Sequence, residues 1–381
     1  MKCVTDFAEE ALKRHQQLRG KIATRLKAPI KNRDDLSVFY TPGVGAVSSY
    51  VAKHPGKARD YTWLNNSVAV ISDGSSVLGL GDIGPYGALP VMEGKCMLFK
   101  HFANIDAVPI VLSVHSADEI VAAVKAIAPS FGGINLEDIA APICFEVEKR
   151  LKKELPMPVM HDDQHGTAIV VLAGLINASK VVGKQLQDCK IVIAGAGAAG
   201  VATTKLLHNY AKPEIIAIDS QGVIHDKREN LNASKLKLLR RTNPKNVRGA
   251  LADAIKDTDI FIGVSRPGLL SQAMIRSMAK DPIVFAMANP VPEIMPDEAK
   301  AAGAAIVATG RSDFPNQVNN ALVFPGVFRG ALDNRVRYIT VAHKIAAAQT
   351  IACLVKKPTA SNIIPALDDS RLVPAIAKVI K

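Results

Sequence analysis

Short apolar runs alternate with segments of helical periodicity along most of the chain. The runs typical of buried strands include SVAVIS (67–72), VPIVLSV (108–114), DIFIGVS, PIVFAMANP and AAIVATG. Between them, residues 117–130 and 144–155 repeat apolar positions at helical spacing. Strands that are apolar on both faces belong in parallel sheets covered by helices. The pattern therefore predicts a layered α/β fold.

Three further segments give local predictions near the ends of the chain. Residues 5–28 have the spacing of an amphipathic helix, and residues 335–355 predict a helix with a wide apolar face. In SVFYTPGVG, the apolar run stops at Pro42, Gly43 and Gly45. This arrangement predicts the end of a strand followed by a turn.

The composition and hydrophobic pattern of the chain change near residues 160–168. A long apolar helix with little charge follows His165, and a strand, a tight turn and a helix come next. Since 381 residues exceed one ordinary core, we expect two domains, residues 1–164 and residues 165–381. The second has the strand and helix order of a Rossmann-type nucleotide-binding domain.

A glycine-rich turn opens this second domain. Its sequence after the strand IVIA is Gly195, Ala196, Gly197, Ala198, Ala199 and Gly200. In such a turn the first glycine permits the sharp bend, the second lets the backbone approach a pyrophosphate, and the third lets helix and strand pack closely. The free N–H groups at the start of the helix would bind the phosphates. The turn therefore predicts dinucleotide binding.

Asp219 bears on which dinucleotide is bound. It ends the next predicted strand, 24 residues after Gly195, where a carboxylate can bind the ribose of NAD and repel a 2′-phosphate. NAD is therefore favoured, with NADP as the alternative because Lys227 and Arg228 follow in the next loop. The similar GLGDIG at residues 79–84 lacks a following strand that ends in an acid, and its glycines are interpreted as shaping a ligand-facing turn.

Two acidic pairs follow short apolar segments in the first half of the chain. They are Glu137-Asp138 and Asp162-Asp163. The ends of parallel strands meet at one edge of a sheet, and Mg²⁺ or Mn²⁺ prefers oxygen ligands there. The alternative from spacing alone is that each pair caps a helix or solvates a loop. The nearby His161 and His165 are interpreted as packing residues or as neighbours of such a site.

Two residues are candidates for acid–base chemistry. Tyr40 precedes TPG, and Lys95 lies between a glycine and a long apolar stretch. Partial desolvation of a lysine lowers its pKa and makes it a usable base. An exposed lysine and a core tyrosine are the competing interpretations, and the residues alone do not decide between them.

Composition and charge exclude several classes of protein. Apolar residues make up 48% of the chain and charged residues 22%, which excludes disorder. The net charge of +12 is spread along the chain and aromatic residues are only 5%, so we expect no nucleic-acid partner. Charge-free stretches such as Ile191 to Thr204, of about fourteen residues, are rich in Gly and Ala, and the longest, residues 36–52, has 17 residues and is interrupted by Pro42 and two glycines, so we expect no membrane helix. Five scattered cysteines and an acid-containing N-terminus without an apolar core predict a cytoplasmic protein.

Several long motifs together resemble the malic enzymes, in particular their short bacterial form. In chain order these are FYTPGVG, GSSVLGLGDIGPYGALPVMEGK, INLEDIAAPICFEVE, MHDDQHGTAIV, IVIAGAGAAG, MANPVPEI and RSDFPNQVNNALVFPGVFRGAL. The resemblance covers nearly the whole chain. It implies an N-terminal α/β domain for substrate and metal, a C-terminal NAD(P)-binding domain and a homodimer or higher homo-oligomer.

The resemblance also implies roles for individual residues. Tyr40 resembles the family's general acid and Lys95 its general base. Glu137, Asp138 and Asp163 resemble its three metal ligands, and Asp162 a residue that orients Lys95. Asn289 and Asn320 resemble groups that hold substrate near the nicotinamide. Ser76 stands where larger malic enzymes carry an arginine that binds a malate carboxylate.

The activity implied is oxidation of (S)-malate to pyruvate and CO₂ with reduction of NAD(P) and a requirement for Mg²⁺ or Mn²⁺, together with decarboxylation of oxaloacetate. A non-decarboxylating 2-hydroxy-acid dehydrogenase is an alternative that keeps the same fold. A catalytically idle nucleotide-binding regulator is another, although the chain retains Tyr40, Lys95 and the three carboxylates.

Overall fold

The protein consists of two α/β units, called the first and second layers below, and each is built around a largely parallel sheet, as the alternating pattern predicts. The structure is a computed structural model, and it describes residues 4–229 and 231–381. The elements of the first layer are α1 (Val4–Leu18), α2 (Arg33–Phe39), α3 (Gly43–Lys53), α4 (Ala58–Tyr61), β1 (Ser67–Ser72), α5 (Gly84–Ala103), β2 (Asp106–Val111), α6 (Ala117–Ile127), β3 (Gly133–Leu136), α7 (Ile143–Glu154) and β4 (Val159–His161). The four strands are parallel in the order β2-β1-β3-β4.

A 20-residue helix, α8 (Asp162–Val181), connects the first layer to the second. The second layer contains β5 (Lys190–Ala194), α9 (Ala198–Tyr210), β6 (Glu214–Asp219), β7 (Gly222–Val223), α10 (Ala233–Leu239), α11 (Leu251–Ala254), β8 (Ile260–Gly263), α12 (Gln272–Arg276), β9 (Ile283–Ala286), α13 (Pro296–Ala301), β10 (Ile306–Thr309), α14 (Phe324–Asp333), α15 (Val341–Leu354) and α16 (Leu372–Val379). Its strand order is β10-β9-β8-β5-β6-β7, and only β7 is antiparallel.

The order of the second sheet explains where a nucleotide would bind. From β5 the chain continues to β6 on one side, while β8 lies on the other side of β5. Ligands bind in the crevice at such a switch point, beyond the carboxyl ends of the strands. The glycine-rich turn after β5 lies at this position.

Helix α8 has little charge because nearly all of its faces are covered. It packs against α9 and α15, and most of its residues from Gly166 onward are buried. Its first turn carries Asp162 and Asp163, where negative charge interacts favourably with the helix dipole. The domain boundary predicted at residues 164/165 falls inside this helix and stays a prediction.

The C-terminal helices return to the first layer. The ring of Phe99 on α5 lies with its centroid 4.7 Å from that of Phe324 and 5.4 Å from that of Phe328, both on α14. These buried aromatic pairs join the two layers into one hydrophobic core. Within the described residues, no helix combines the length and the apolar character that spanning a bilayer requires.

Three local predictions were wrong. The helix expected over 5–28 ends at Leu18, because Arg19 (φ 53°) and Gly20 (φ 111°) adopt left-handed conformations. The segment around SVFY forms the end of helix α2 rather than a strand, since the side chain of Asn32 accepts the N–H of Asp35 and caps that helix. The helix expected over 335–355 begins only at Val341, where the Thr340 hydroxyl accepts the N–H of His343.

Candidate active site

The two acidic pairs meet at one edge of the first sheet. Glu137 and Asp138 directly follow β3, and Asp162 and Asp163 directly follow β4. Strands β3 and β4 are paired in parallel with Leu136 opposite His161, so both pairs leave the sheet side by side. Oxygen atoms of Glu137, Asp138 and Asp163 all lie within 4.8 Å of one another. The two pairs therefore belong to one cluster, although Asp162 and Asp163 also form the first turn of α8.

Burial makes this cluster electrostatically strained. Burial first, and then the charge of Asp163, raise the pKa of Glu137 well above its usual value and that of Asp138 to about 8. The Oδ2 atom of Asp138 has no hydrogen-bond partner among the described residues, while the backbone N–H of Asp138 donates to Oδ2 of Asp163 at 2.8 Å. A hard divalent cation would satisfy such clustered carboxylates, so these residues fit a Mg²⁺ or Mn²⁺ ion.

Lys95 on α5 reaches into the same cluster. Its Nζ lies 2.5 Å from Oδ2 of Asp162 and 2.9 Å from Oε1 of Glu137. Burial acts to lower the pKa of Lys95, but the carboxylates of Asp162, Glu137 and Asp163 outweigh burial and raise it. The carboxylates around the amine therefore act against the lowered lysine pKa that desolvation alone predicts.

Asp162 is completely buried, and a glycine one turn later makes room for it. At Gly166 an added Cβ would lie 1.9 Å from Oδ1 of Asp162 and 3.0 Å from Cβ of Asn320. A side chain at position 166 would therefore displace the carboxylate that contacts Lys95. Asp162, Gly166 and Asn320 form one wall of the site.

Ser76 borders the carboxylate cluster, whereas Tyr40 makes no hydrogen bond to it. The N–H of Ser76 donates to the carbonyl oxygen of Asp138 at 3.0 Å, and its side chain is exposed. Tyr40 follows the last residue of α2 and is 65% exposed, and its hydroxyl bonds to no group of the described chain. The structure thus leaves both side chains free toward solvent.

Two neighbouring asparagines differ in what their side chains do. Asn319 accepts the N–H of Ala321 at 2.9 Å and donates to the carbonyl oxygen of Gly310 at 3.4 Å. Asn320 and Asn289 form no side-chain hydrogen bond with the part of the chain that the structure describes. Asn319 is therefore engaged in holding the backbone, and Asn320 is the member of the pair that is free to bind a ligand.

The glycine-rich turn has the close backbone approaches that its sequence predicts. Gly195 has φ 121°, and an added Cβ there would lie 2.5 Å from the carbonyl oxygen of Val264. At Gly200 an added Cβ would lie 1.7 Å from the carbonyl oxygen of Gly195. Gly197 precedes α9, which begins at Ala198 and continues through Ala199. A cavity of about 350 Å³ lies beside the turn, with Gly195, Ala196, Gly197, Asp219, Lys235 and Ser265 among its lining residues.

Asp219 lies in this cavity but is already engaged by cations. Arg228 donates to both of its oxygens, at 2.9 Å each, and the Nζ of Lys235 lies 2.7 Å from Oδ2. The N–H of Gln221 donates to Oδ1 at 2.9 Å. Although burial opposes the shift, these partners lower the pKa of Asp219 below its usual value. Its acceptor positions are therefore filled by groups of the protein itself.

Sequence reasoning missed Lys235 and two buried glutamates. Glu148 on α7 accepts the N–H of His161 at 3.1 Å and contacts Nε2 of His165, so it anchors the start of α8 beside the acidic pair. Glu293 is completely buried and accepts two backbone N–H groups. Only its apolar neighbours in MANPVPEI hinted that Glu293 is buried, and no local signal separates Lys235 from the other lysines of its helix.

Comparisons with known proteins agree with this geometry. The profile of the malic enzyme N-terminal domain matches residues 19–152, and that of the malic enzyme NAD-binding domain matches residues 164–380. A bifunctional malic/malolactic enzyme of Bacillus subtilis is 54% identical, and the alignment covers 98% of this chain and 92% of that protein. An NAD-dependent malic enzyme of Geobacillus stearothermophilus is also 54% identical, with 95% and 76% covered.

A solved structure leads to the same result. The crystal structure of the NAD-dependent malic enzyme of Thermotoga maritima superposes with a TM-score of 0.94 at 47% identity, covering 97% of this chain and 98% of that one. Together with the two profiles and the curated relatives, this shows that the chain belongs to the malic enzyme family.

Proposed function

We propose that this protein oxidises (S)-malate to pyruvate and CO₂ with reduction of NAD(P). The observation that carries the proposal is the placement of the Lys95 amine against the carboxylate cluster, at 2.9 Å from Glu137 and 2.5 Å from Asp162. A base next to a carboxylate cluster that could hold a cation is what removal of the hydroxyl proton of a 2-hydroxy acid requires. The nucleotide cavity beside the glycine-rich turn supplies the place for a hydride acceptor.

Glu137, Asp138 and Asp163 would hold the divalent cation. Such an ion lowers the pKa of a substrate hydroxyl and polarises a carbonyl, which favours both the oxidation and the loss of CO₂. The positive charge would also offset the carboxylates that now raise the pKa of Lys95. A bound cation would therefore lower the proton affinity of Lys95 and favour its role as a base.

Lys95 and Tyr40 would handle the protons. Lys95, once deprotonated, would accept the proton of the malate 2-hydroxyl, and NAD(P)⁺ held at the glycine-rich turn would supply the acceptor for the hydride of C2. The β-keto acid that results loses its second carboxylate as CO₂ and leaves the enolate of pyruvate. Tyr40 donates a proton to C3 of that enolate, and the ammonium of Lys95 restores the proton of the tyrosine.

Asn289, Asn320 and Ser76 would orient the substrate. The two asparagine amides are free of other hydrogen bonds among the described residues and can donate to a carboxylate, as the Ser76 hydroxyl can. No arginine occupies position 76, so recognition of the second carboxylate is assigned to neutral donors.

The proposal takes NAD as the nucleotide because of Asp219, with NADP as the alternative because cations pair with that carboxylate. The lone carboxylate of an NAD-specific site repels a 2′-phosphate. Here Arg228 and Lys235 carry two positive charges against the single negative charge of Asp219. The repulsion of NADP would therefore be partly offset, and the two cations could bind a 2′-phosphate if it came next to Asp219.

Replacement of Asp219 by serine is expected to shift preference toward NADP. The change removes the repelling charge and frees Arg228 and Lys235 to bind the 2′-phosphate. Since a hydrogen bond to a charged group contributes roughly 1.5–3 kcal/mol, we expect the ratio of kcat/KM for NADP over NAD to rise by about tenfold or more. Asp226→Ser, an exposed acid of the same loop, is the control and should leave the ratio unchanged. An unchanged ratio in the Asp219 variant would remove Asp219 from cofactor selection.

A homodimer and a cytoplasmic location complete the proposal. Helices α2 and α3 bury none of their residues in the single chain, and Phe39, Tyr50, Tyr61 and Trp63 are exposed. Contiguous exposed apolar surface marks an interface between proteins. We therefore expect analytical ultracentrifugation to give the mass of two chains, and a monomer at micromolar concentration would contradict this.

The reaction itself is tested by absorbance at 340 nm with L-malate and Mn²⁺, in parallel reactions with NAD and NADP. The proposal predicts reduction of nucleotide that stops when the cation is chelated, with pyruvate formed. Reduced nucleotide without pyruvate would support a non-decarboxylating hydroxy-acid dehydrogenase. No reduction with either nucleotide, in folded protein, would favour an idle nucleotide-binding regulator.

A further inference from the structure

A fully buried carboxylate, Glu293, lies between two loops that serve different parts of the site. It is 0% exposed and sits beyond the ends of β8 and β9. Its Oε1 accepts the N–H of Ser265 at 2.9 Å, and its Oε2 accepts the N–H of Ala288 at 3.0 Å. Gly263 makes the space, because an added Cβ there would lie 2.3 Å from the carboxyl carbon of Glu293.

The first of these loops, residues 264–270, borders the nucleotide cavity. Val264 and Ser265 line that cavity. The backbone around Glu293 holds the far side of the same loop. The N–H of Leu270 donates to the carbonyl oxygen of Glu293 at 3.1 Å, and the N–H of Gly268 donates to the carbonyl oxygen of Pro292 at 3.3 Å. Loop 264–270 is thus fixed at both ends by residues 292–293.

The second loop carries Asn289, directly after Ala288. On its other side this loop meets residues 76–79 of the first layer, because an added Cβ at Gly79 would lie 1.9 Å from the carbonyl oxygen of Asn289. The N–H of the adjacent Leu78 lies 3.4 Å from Oδ1 of Asp138. A continuous line of contacts therefore runs from the nucleotide cavity through Glu293 and Asn289 to the carboxylate cluster.

We propose that Glu293 is a positioning residue that sets the Ser265 loop and the Asn289 segment relative to each other, so that nucleotide and malate are aligned. The proposal rests on the proposed function. A carboxylate suits this role because its two oxygens both accept, one from each loop. A glutamine would keep one acceptor and direct its NH₂ donor at the other N–H, leaving a buried backbone group unpaired.

Glu293→Gln tests the role directly, with the exposed Glu298→Gln on α13 as the matched control. NADH affinity is measured by fluorescence titration, and malate turnover is measured by steady-state kinetics at saturating nucleotide. Thermal unfolding reports whether the variants fold. We expect the Glu293 variant to fold, to bind NADH several-fold more weakly, and to lose about tenfold in kcat/KM for malate, as one lost buried hydrogen bond implies. Loss of thermal stability with both constants unchanged would reduce Glu293 to a structural residue and overturn the proposal.

Gly79→Ala separates the two ends of the line of contacts. The added methyl group presses on Asn289 from the first layer, so malate turnover should fall while NADH affinity stays unchanged. Gly56→Ala, whose Cβ would meet no atom within 4 Å, is the control. Normal malate turnover in Gly79→Ala would contradict the proposed placement of Asn289.

The same titrations distinguish failure of this proposal from failure of the proposed function. Wild-type protein that oxidises no malate would refute the function, and NADH affinity in Glu293→Gln would still decide whether the carboxylate sets the Ser265 loop. Unchanged affinity would then overturn the positioning role.

Discussion

Lys95→Ala is expected to abolish malate oxidation while NAD binding is retained. The amine contacts Glu137 and Asp162, which lie outside the nucleotide cavity, so its loss removes the proposed base without changing the residues around the glycine-rich turn. General bases typically accelerate a reaction by about 10²- to 10⁴-fold. We therefore expect kcat to decrease by at least about 10²-fold. Steady-state kinetics and NADH titration measure the two effects separately.

Two further variants make the Lys95 result interpretable. Lys95→Arg keeps a positive charge among the carboxylates but cannot serve as a base near neutral pH, so it should fold and remain inactive. Lys100→Ala is the control, because Lys100 is an exposed lysine of the same helix that pairs with Asp106 at 2.8 Å. This variant should retain activity. Normal turnover in Lys95→Arg would show that the residue acts through its charge alone.

Asp163→Ala is expected to raise the Mn²⁺ concentration required for activity by about 100-fold or more. The change deletes one of three anionic ligands from a site where each hard oxygen contributes to affinity. It also removes the acceptor of the Asp138 N–H, so a second ligand loses its support. Electron paramagnetic resonance of free Mn²⁺ reports binding independently of turnover.

Asp163→Asn and Asp118→Ala serve as comparisons. The asparagine retains one neutral oxygen and should give an intermediate Mn²⁺ affinity. Asp118 is 87% exposed and pairs with Arg150, away from the cluster, so its replacement should leave the Mn²⁺ titration unaltered. A wild-type Mn²⁺ titration in Asp163→Ala would place Asp163 outside the metal site.

Local patterns predicted secondary structure well where the spacing of apolar residues clearly favoured one kind of element. A short run rich in β-branched residues, such as SVAVIS, is typical of a buried strand, and β1 covers these six residues. At SVFY the apolar pattern was ambiguous, and the cap by Asn32 decided for a helix. The helix from residue 5 was predicted too long because the left-handed turn at Arg19 and Gly20 leaves little trace in hydrophobic spacing.

The sequence indicated which residues belong to the candidate site, but it did not indicate the contacts between them. The positions of the acidic pairs at strand ends follow from the order of apolar runs, and the structure brings three of the four carboxylates together. The raised pKa of Lys95 depends on residues distant in sequence, since Glu137 and Asp162 lie 42 and 67 positions away. The cations on Asp219 are Arg228 and Lys235, only 9 and 16 positions further along the chain, but hydrophobic spacing does not show which side chains turn toward the carboxylate. Desolvation alone would lower the pKa of Lys95, and tertiary contacts with the carboxylates reverse that direction.

Product stoichiometry tests the central claim most directly. The protein is incubated with [¹³C₄]malate, NAD and Mn²⁺, and pyruvate, lactate, CO₂ and NADH are quantified by NMR and absorbance. The proposed chemistry predicts pyruvate, CO₂ and NADH in equal amounts, all of them lost in Lys95→Arg. Carbon dioxide with lactate and no net NADH, or NADH without CO₂, would contradict oxidative decarboxylation of malate as the reaction of this site.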